Sequence, residues 1–130
     1  EKTPEPMRVI KNLGGGKFIA IFEKKAQPDY KGTLKNGKTI IFEAKHTEND
    51  RIEQSRLTDT QVKLLTKYHS MNAQCYVLVT VQMRTFYFVP WQVWRDMKEI
   101  YGRKYMTIDE LKKYQVPFVN GTIRFLNQMR

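Results

Sequence analysis

PDYKGTLKNGKTIIFEAK, from Pro28 to Lys45, is the stretch whose register decides how this chain folds and what it can do. Its second half, Lys38 to Lys45, is rich in β-branched and aromatic residues and reads as a strand. Side chains alternate faces along a strand, so Ile40, Phe42 and Ala44 share one face and Ile41, Glu43 and Lys45 the other. The first set is wholly apolar and is expected to be the core face. The second sets a carboxylate and an ammonium two residues apart on a rigid element.

Whether Asp29 joins them depends on the turn. A two-residue Asn36-Gly37 turn pairs Lys35 with Lys38 and puts Asp29 opposite Ala44, on the core face. A three-residue loop, Lys35-Asn36-Gly37, with glycine in the left-handed region, pairs Leu34 with Lys38 and sets Asp29 opposite Glu43. A slip of one residue turns every side chain over. We expect the three-residue loop, or a compensating bulge near Gly32. Two opposed carboxylates repel unless a cation lies between them. A hard divalent ion fits, and Mg²⁺ takes one or two carboxylates together with phosphate oxygens and water. Lys45 beside it can stabilise negative charge developing on a phosphate, or help deprotonate a bound water. That is the chemistry of metal-assisted phosphodiester hydrolysis; the alternative is a surface hairpin whose charges are merely solvated. The order Pro28-Asp29, then Glu43-x-Lys45, resembles the PD-(D/E)xK nuclease signature.

The rest of the composition narrows the class. At 130 residues, 41% hydrophobic and 12% aromatic, residues 1–130 are expected to form one domain with a real core, which excludes a disordered chain. No apolar run approaches the roughly 18 residues of a membrane span. The single Cys75 excludes an internal disulfide and fits a reducing cytoplasm. No signal peptide is visible, and a start at Glu1 rather than Met leaves room for residues ahead of it. The net charge of +10, from 23 Lys+Arg against 13 Asp+Glu, is spread along the chain rather than gathered in a tail. A folded body this basic points to a polyanion partner, most simply nucleic acid.

Pro4 and Pro6 keep the first residues extended. Met7 to Lys11 and Lys17 to Glu23 then flank Asn12-Leu-Gly-Gly-Gly16, which predicts a hairpin over 7–23 with a glycine tip. It carries Arg8, Lys11, Lys17 and, just beyond, Lys24 and Lys25. Those lysines either keep a sheet edge soluble or touch DNA backbone. The stretch from His46 to Arg56 is expected to be a mobile polar loop leaving the strand. His46 and Thr47 lie near the candidate metal, yet no second histidine stands at ligand spacing, which argues against zinc.

From Thr58 to Met71 the spacing predicts a helix whose inward stripe is Leu57, Gln61, Leu64, Leu65, Tyr68 and Met71. Gln61 is either the far half of a capping box with Thr58 or an amide aimed at the site. Gln74 to Val81 reads as a central strand buried on both faces, and Arg84 to Val89 as its neighbour. Pro90 opens a helix covered by Trp91, Val93, Trp94, Met97, Ile100 and Tyr101. Its aromatics serve either the core or base stacking. Gly102-Arg103-Lys104 is a basic turn, and Thr107 with Glu110 caps a short helix from Ile108 to Lys113. An Asn120-Gly121 turn and an amphipathic run, Ile123 to Met129, close the chain.

Taken in order, Pro4-x-Pro6, Leu13-Gly-Gly-Gly-Lys-Phe18, Glu23-Lys-Lys25, Asp29-Tyr30, Phe42-Glu-Ala-Lys45, Phe86-Tyr-Phe-Val-Pro90, Gly102-Arg-Lys104 and Asp109-Glu-Leu111 amount to more than a signature. Together they resemble the RecU-type Holliday junction resolvases of Gram-positive bacteria and their phages, from about Pro4 to Leu111 and more loosely to the end. The resemblance implies an α/β fold with a restriction-endonuclease-like core: a central mixed β-sheet flanked by helices, and a projecting β-hairpin stalk matching Met7 to Glu23. It implies a metal-dependent, structure-specific endonuclease that nicks four-way DNA junctions in symmetric pairs, working as a homodimer in the cytoplasm alongside other recombination proteins. By similarity, Asp29, Glu43 and the Ala44 backbone carbonyl would hold Mg²⁺, with Mn²⁺ substituting. Lys45 would be the catalytic lysine, with Gln61 flanking it. Arg8, Lys11, Lys17, Lys24, Lys25, Arg103 and Lys104 would meet DNA. The sequence departs from the family where its usual helix ahead of the Pro-x-Pro segment is absent or truncated. The stretch from His46 to Asp50 is also less basic than usual, and Thr60 stands where the family has histidine. Another PD-(D/E)xK nuclease, or a catalytically incomplete junction-binding protein, are the competing readings.

Overall fold

A computed structural model describes residues 7–14, 17–22, 28–119 and 122–123, with side chains described from 28 to 117. The chain forms two compact units: Glu1–Glu43 with Asp59–Cys75, and Ala44–Thr58 with Tyr76–Arg130.

In the first unit, β1 (Met7–Gly14) pairs antiparallel with β2 (Lys17–Phe22), β2 with β3 (Tyr30–Thr33), and β3 with β4 (Thr39–Thr47). The expected first hairpin is present, with register shifts between Val9 and Lys11 and between Asn12 and Gly14. The second hairpin takes the three-residue loop. Leu34 N–H donates to Lys38 O at 2.8 Å, and Gly37 N–H to Leu34 O at 2.9 Å. Gly37 holds φ at +88°, where a Cβ is disfavoured, and Asn36 Oδ1 accepts the Lys38 N–H at 3.0 Å. The ladder then runs without a bulge from Thr33↔Thr39 through Gly32↔Ile40 and Lys31↔Ile41 to Tyr30↔Phe42. Tyr30 stacks on Phe42 with ring centroids 4.6 Å apart.

The helix α1 spans Asp59–Ser70, and its Leu65 is fully buried, a burial that stabilises by about 1.5–3 kcal/mol. Two expectations fail here. Met71 lies past the helix end and is exposed rather than part of the stripe. The opposite face of β4 is core as well: Ile41 and Glu43 are as deeply buried as Ile40 and Phe42. The helix is the reason, since its first turn reaches the Glu43 carboxylate.

In the second unit, β6 (Gln74–Val81, whose first residues belong to the first unit) pairs antiparallel with β7 (Thr85–Pro90) from Tyr76↔Pro90 to Val81↔Thr85, and β7 with Gln115–Val116. Residues 46–56 are not the expected loop. Strand β4 continues through Thr47, β5 (Arg51–Glu53) pairs with Tyr105–Thr107, and a 3-10 turn follows at Gln54–Arg56. The helix expected after Pro90 breaks at Asp96 into α2 (Trp91–Arg95) and α3 (Met97–Tyr101). Trp91, Trp94 and Met97 are buried, so the two indoles are core and not stacking platforms, whereas Ile100 is exposed. α4 (Ile108–Leu111) carries the expected capping box. Glu110 N–H donates to Thr107 Oγ1 at 3.4 Å, and Thr107 N–H to Glu110 Oε1 at 3.0 Å. Phe118–Val119 and Thr122–Ile123 pair across the expected turn, whose Asn120-Gly121 lies outside the described residues, as does the run beyond Ile123. Among the described residues, no helix is long and apolar enough to cross a membrane.

Candidate active site

The register of the second hairpin runs up to the first two expected site residues. Tyr30↔Phe42 is the last pair of the ladder, with Asp29 the residue before it on one side and Glu43 the residue after it on the other. Pro28 is buried and anchors the entry to β3, while Asp29 is exposed. Glu43 is fully buried on β4, whereas Asp29 lies just ahead of β3 in solvent. Burial first, and then the negative charge of Asp29, push the Tyr30 hydroxyl above its ordinary range.

Gln61 meets the Glu43 carboxylate. From the first turn of α1, its Nε2 donates to Glu43 Oε1 at 3.2 Å. Ala44 and Lys45, both half-buried, follow Glu43 along β4. Two carboxylates and a main-chain carbonyl are hard oxygen donors. Among the described residues, no three His, Cys, Asp or Glu side chains gather into a metal-holding group. Oxygen donors of this kind suit a hard divalent ion rather than structural zinc with its nitrogen and sulfur ligands.

His46 and Thr47 stand apart from this chemistry. His46 is exposed with its Nε2 at 2.8 Å from Glu48 Oε2. The buried Thr47 hydroxyl organises the next turn, accepting the Asn49 N–H at 3.1 Å.

The expected DNA-contact residues separate into groups. Arg8 and Lys11 lie on β1 and Lys17 opens β2, whereas Lys24 and Lys25 fall outside the described residues. Lys104 is exposed. Arg103 has work inside the fold: it donates to Tyr101 O at 2.9 Å and to Glu110 Oε2 at 2.8 Å. Its guanidinium also lies 4.5 Å from the Tyr105 ring centroid, with Arg51 at 4.2 Å from the same ring. Lys31, two residues beyond Asp29 on β3 and not singled out from the sequence, sits 5.3 Å from the Tyr68 ring centroid. Strand alternation from Asp29 was the signal that could have found it.

A family model described as recombination protein U matches residues 1–129 of this sequence. No curated protein matches it. Among solved structures, it is similar to Hjc, a Holliday junction resolvase from the archaeal hyperthermophile Archaeoglobus fulgidus. The TM-score is 0.50 at 16% identity, over 68% of each chain. At that identity the likeness concerns the fold: α/β and restriction-endonuclease-like, with a mixed sheet flanked by helices.

Proposed function

Because the chain belongs to the recombination protein U family, a family of Holliday junction resolvases, we propose that it is a Mg²⁺-dependent endonuclease cutting four-way junctions by paired symmetric nicks. Residues 1–130 act as one nuclease domain. Asp29, Glu43 and the Ala44 carbonyl would hold the metal, Mn²⁺ substituting for Mg²⁺. When bound, the ion supplies Lewis-acid stabilisation of phosphate charge and lowers the pKa of water.

The chain's own residues do the remainder. Gln61 fixes the orientation of the Glu43 carboxylate, so that the donor atoms are preorganised. Lys45 presents an ammonium to the negative charge that grows on the phosphate oxygens, in a site where such a charge counts for more than in water. Arg8, Lys11, Lys17, Lys24, Lys25, Lys31 and Lys104 contact phosphates, which makes binding steeply salt-dependent and shape-driven. A four-way junction has two-fold symmetry, so a two-fold homodimer presents one centre to each of two opposed strands. The protein works in the cytoplasm.

The observation that supports this reading is the β3–β4 register, whose ladder ends at Tyr30↔Phe42, one residue short of Asp29 and Glu43, together with the hydrogen bond from Gln61 of α1 to the Glu43 carboxylate. The test is nicking of a synthetic four-way junction against a matched duplex with Mg²⁺. Wild type should cut the junction at two symmetric positions, and Asp29→Asn and Lys45→Ala should each abolish cutting while retaining junction binding. Equal cutting of both substrates makes the chain a general nuclease of this fold. Undiminished cutting by both variants removes the site altogether.

A further inference from the structure

The turn joining β6 to β7 is built against the preferences of its own residues. Gln82 and Met83 sit at φ of 53° and 54°, in the left-handed region that side chains disfavour. Elsewhere among the described residues this demand falls on Gly37, Gly102 and Asn72, residue types that tolerate the region better than glutamine or methionine. Gln82 has a visible use for its side chain: Nε2 donates to Glu48 O at 3.3 Å, while its N–H donates to Thr47 O at 2.8 Å. These bonds tie the turn to the end of β4, two residues past Lys45. The Arg84 N–H closes the turn onto Val81 O at 3.0 Å.

Met83 shows no comparable use within the fold. It is 71% exposed, against 56% for Met71 and 51% for Ile100, the other exposed large apolar residues among those described. A thioether is thus held out in solvent on a pinned, strained turn, next to the exposed Arg84.

We propose that Met83 is an apolar wedge that enters an unstacked base step of branched DNA, with Gln82 holding it at a fixed place relative to β4. This rests on the junction-cutting reading above. Three observations favour DNA over a protein partner: the chain carries +10 charge, the wedge is flanked by Arg84, and its anchor, Thr47, lies about 7 Å along β4 from Lys45. Methionine is among the side chains that insert between base steps. At a branch point the stacking is already interrupted, so insertion is easier there than in a continuous duplex. Met83 therefore discriminates branched from linear DNA rather than adding affinity for both.

The experiment uses the full chain with 2-aminopurine beside the branch point of a four-way junction, or within a matched duplex. Wild type should raise the fluorescence of the junction probe only. Met83→Ala and Met83→Gly should lose that rise and weaken junction binding about tenfold, with duplex affinity held within about twofold. Met83→Leu should behave as wild type. Thermal melting should show both small variants folded, with Met83→Gly at least as stable as wild type because glycine accepts the backbone without strain. Wild-type fluorescence and affinity in both small variants would overturn the wedge, as would equal weakening on both substrates or a change of oligomeric state alone. If wild type binds and nicks the junction without any fluorescence rise, the wedge fails and the resolvase reading stands. If wild type neither binds nor nicks it, both fall.

Discussion

Gln61 and Glu43 meet across the first unit, the amide Nε2 donating to a carboxylate oxygen at 3.2 Å. One comes from the first turn of α1, the other from the buried middle of β4. A carboxylate taken out of water keeps its position only where donors hold it, and hydrogen bonds to a charged group contribute about 1.5–3 kcal/mol.

Gln61→Ala should therefore lower stability by about 1–3 kcal/mol and reduce junction nicking by at least about tenfold. Denaturant unfolding and single-turnover cleavage measure the two effects separately. Wild-type cleavage in this variant would leave Gln61 a purely structural residue.

Metal binding should be visible without DNA. A ligand that binds only the folded chain at a hundred times its Kd stabilises it by about 2.7 kcal/mol. Mg²⁺ should raise the melting temperature of wild type, EDTA should return it, and Asp29→Asn should abolish the shift. An equal shift in that variant would place the ion elsewhere.

The Thr107–Glu110 cap carries a pH signature. Burial pushes the Glu110 carboxyl up, but the Thr107 N–H and then the Arg103 guanidinium outweigh it and hold the group below the ordinary glutamate range. A carboxyl lowered on folding adds stability that is present above its unfolded value of about 4.3 and lost as pH falls through the lower folded value. Wild type should lose stability over that acid window more steeply than Glu110→Gln, and Thr107→Ala should cost about 1 kcal/mol at neutral pH. Parallel acid titrations of wild type and Glu110→Gln would contradict this.

Cys75 should be chemically silent. Its thiol is buried in β6, with Sγ at 3.8 Å from Leu65 O and 3.7 Å from Ala73 O, and burial pushes its pKa up to about 12. The thiolate is the reactive form, so a disulfide reagent at pH 8 should label the chain only at the rate of unfolding. Immediate stoichiometric labelling of the native chain would show the pocket around Cys75 to be open.

Much of the hairpin that frames the candidate site is legible in the sequence because its determinants are local. Asn36-Gly37 in a three-residue loop sets a register, and the expected register is the one the strands take, from Thr33↔Thr39 to Tyr30↔Phe42. The extent of β6 and the Thr107–Glu110 cap are likewise decided within a few residues by burial pattern and hydrogen-bonding chemistry. Other features needed partners distant in the chain. Arg51 becomes a strand residue only because Thr107 pairs with it. Glu43 is met by Gln61 of α1, eighteen residues on, and Arg103 is engaged within the fold because Glu110 and Tyr105 await it. The left-handed turn at Gln82 and Met83 carries no glycine or asparagine to announce it. Its backbone is held by Thr47 and Glu48, contacts that exist only once the chain has folded.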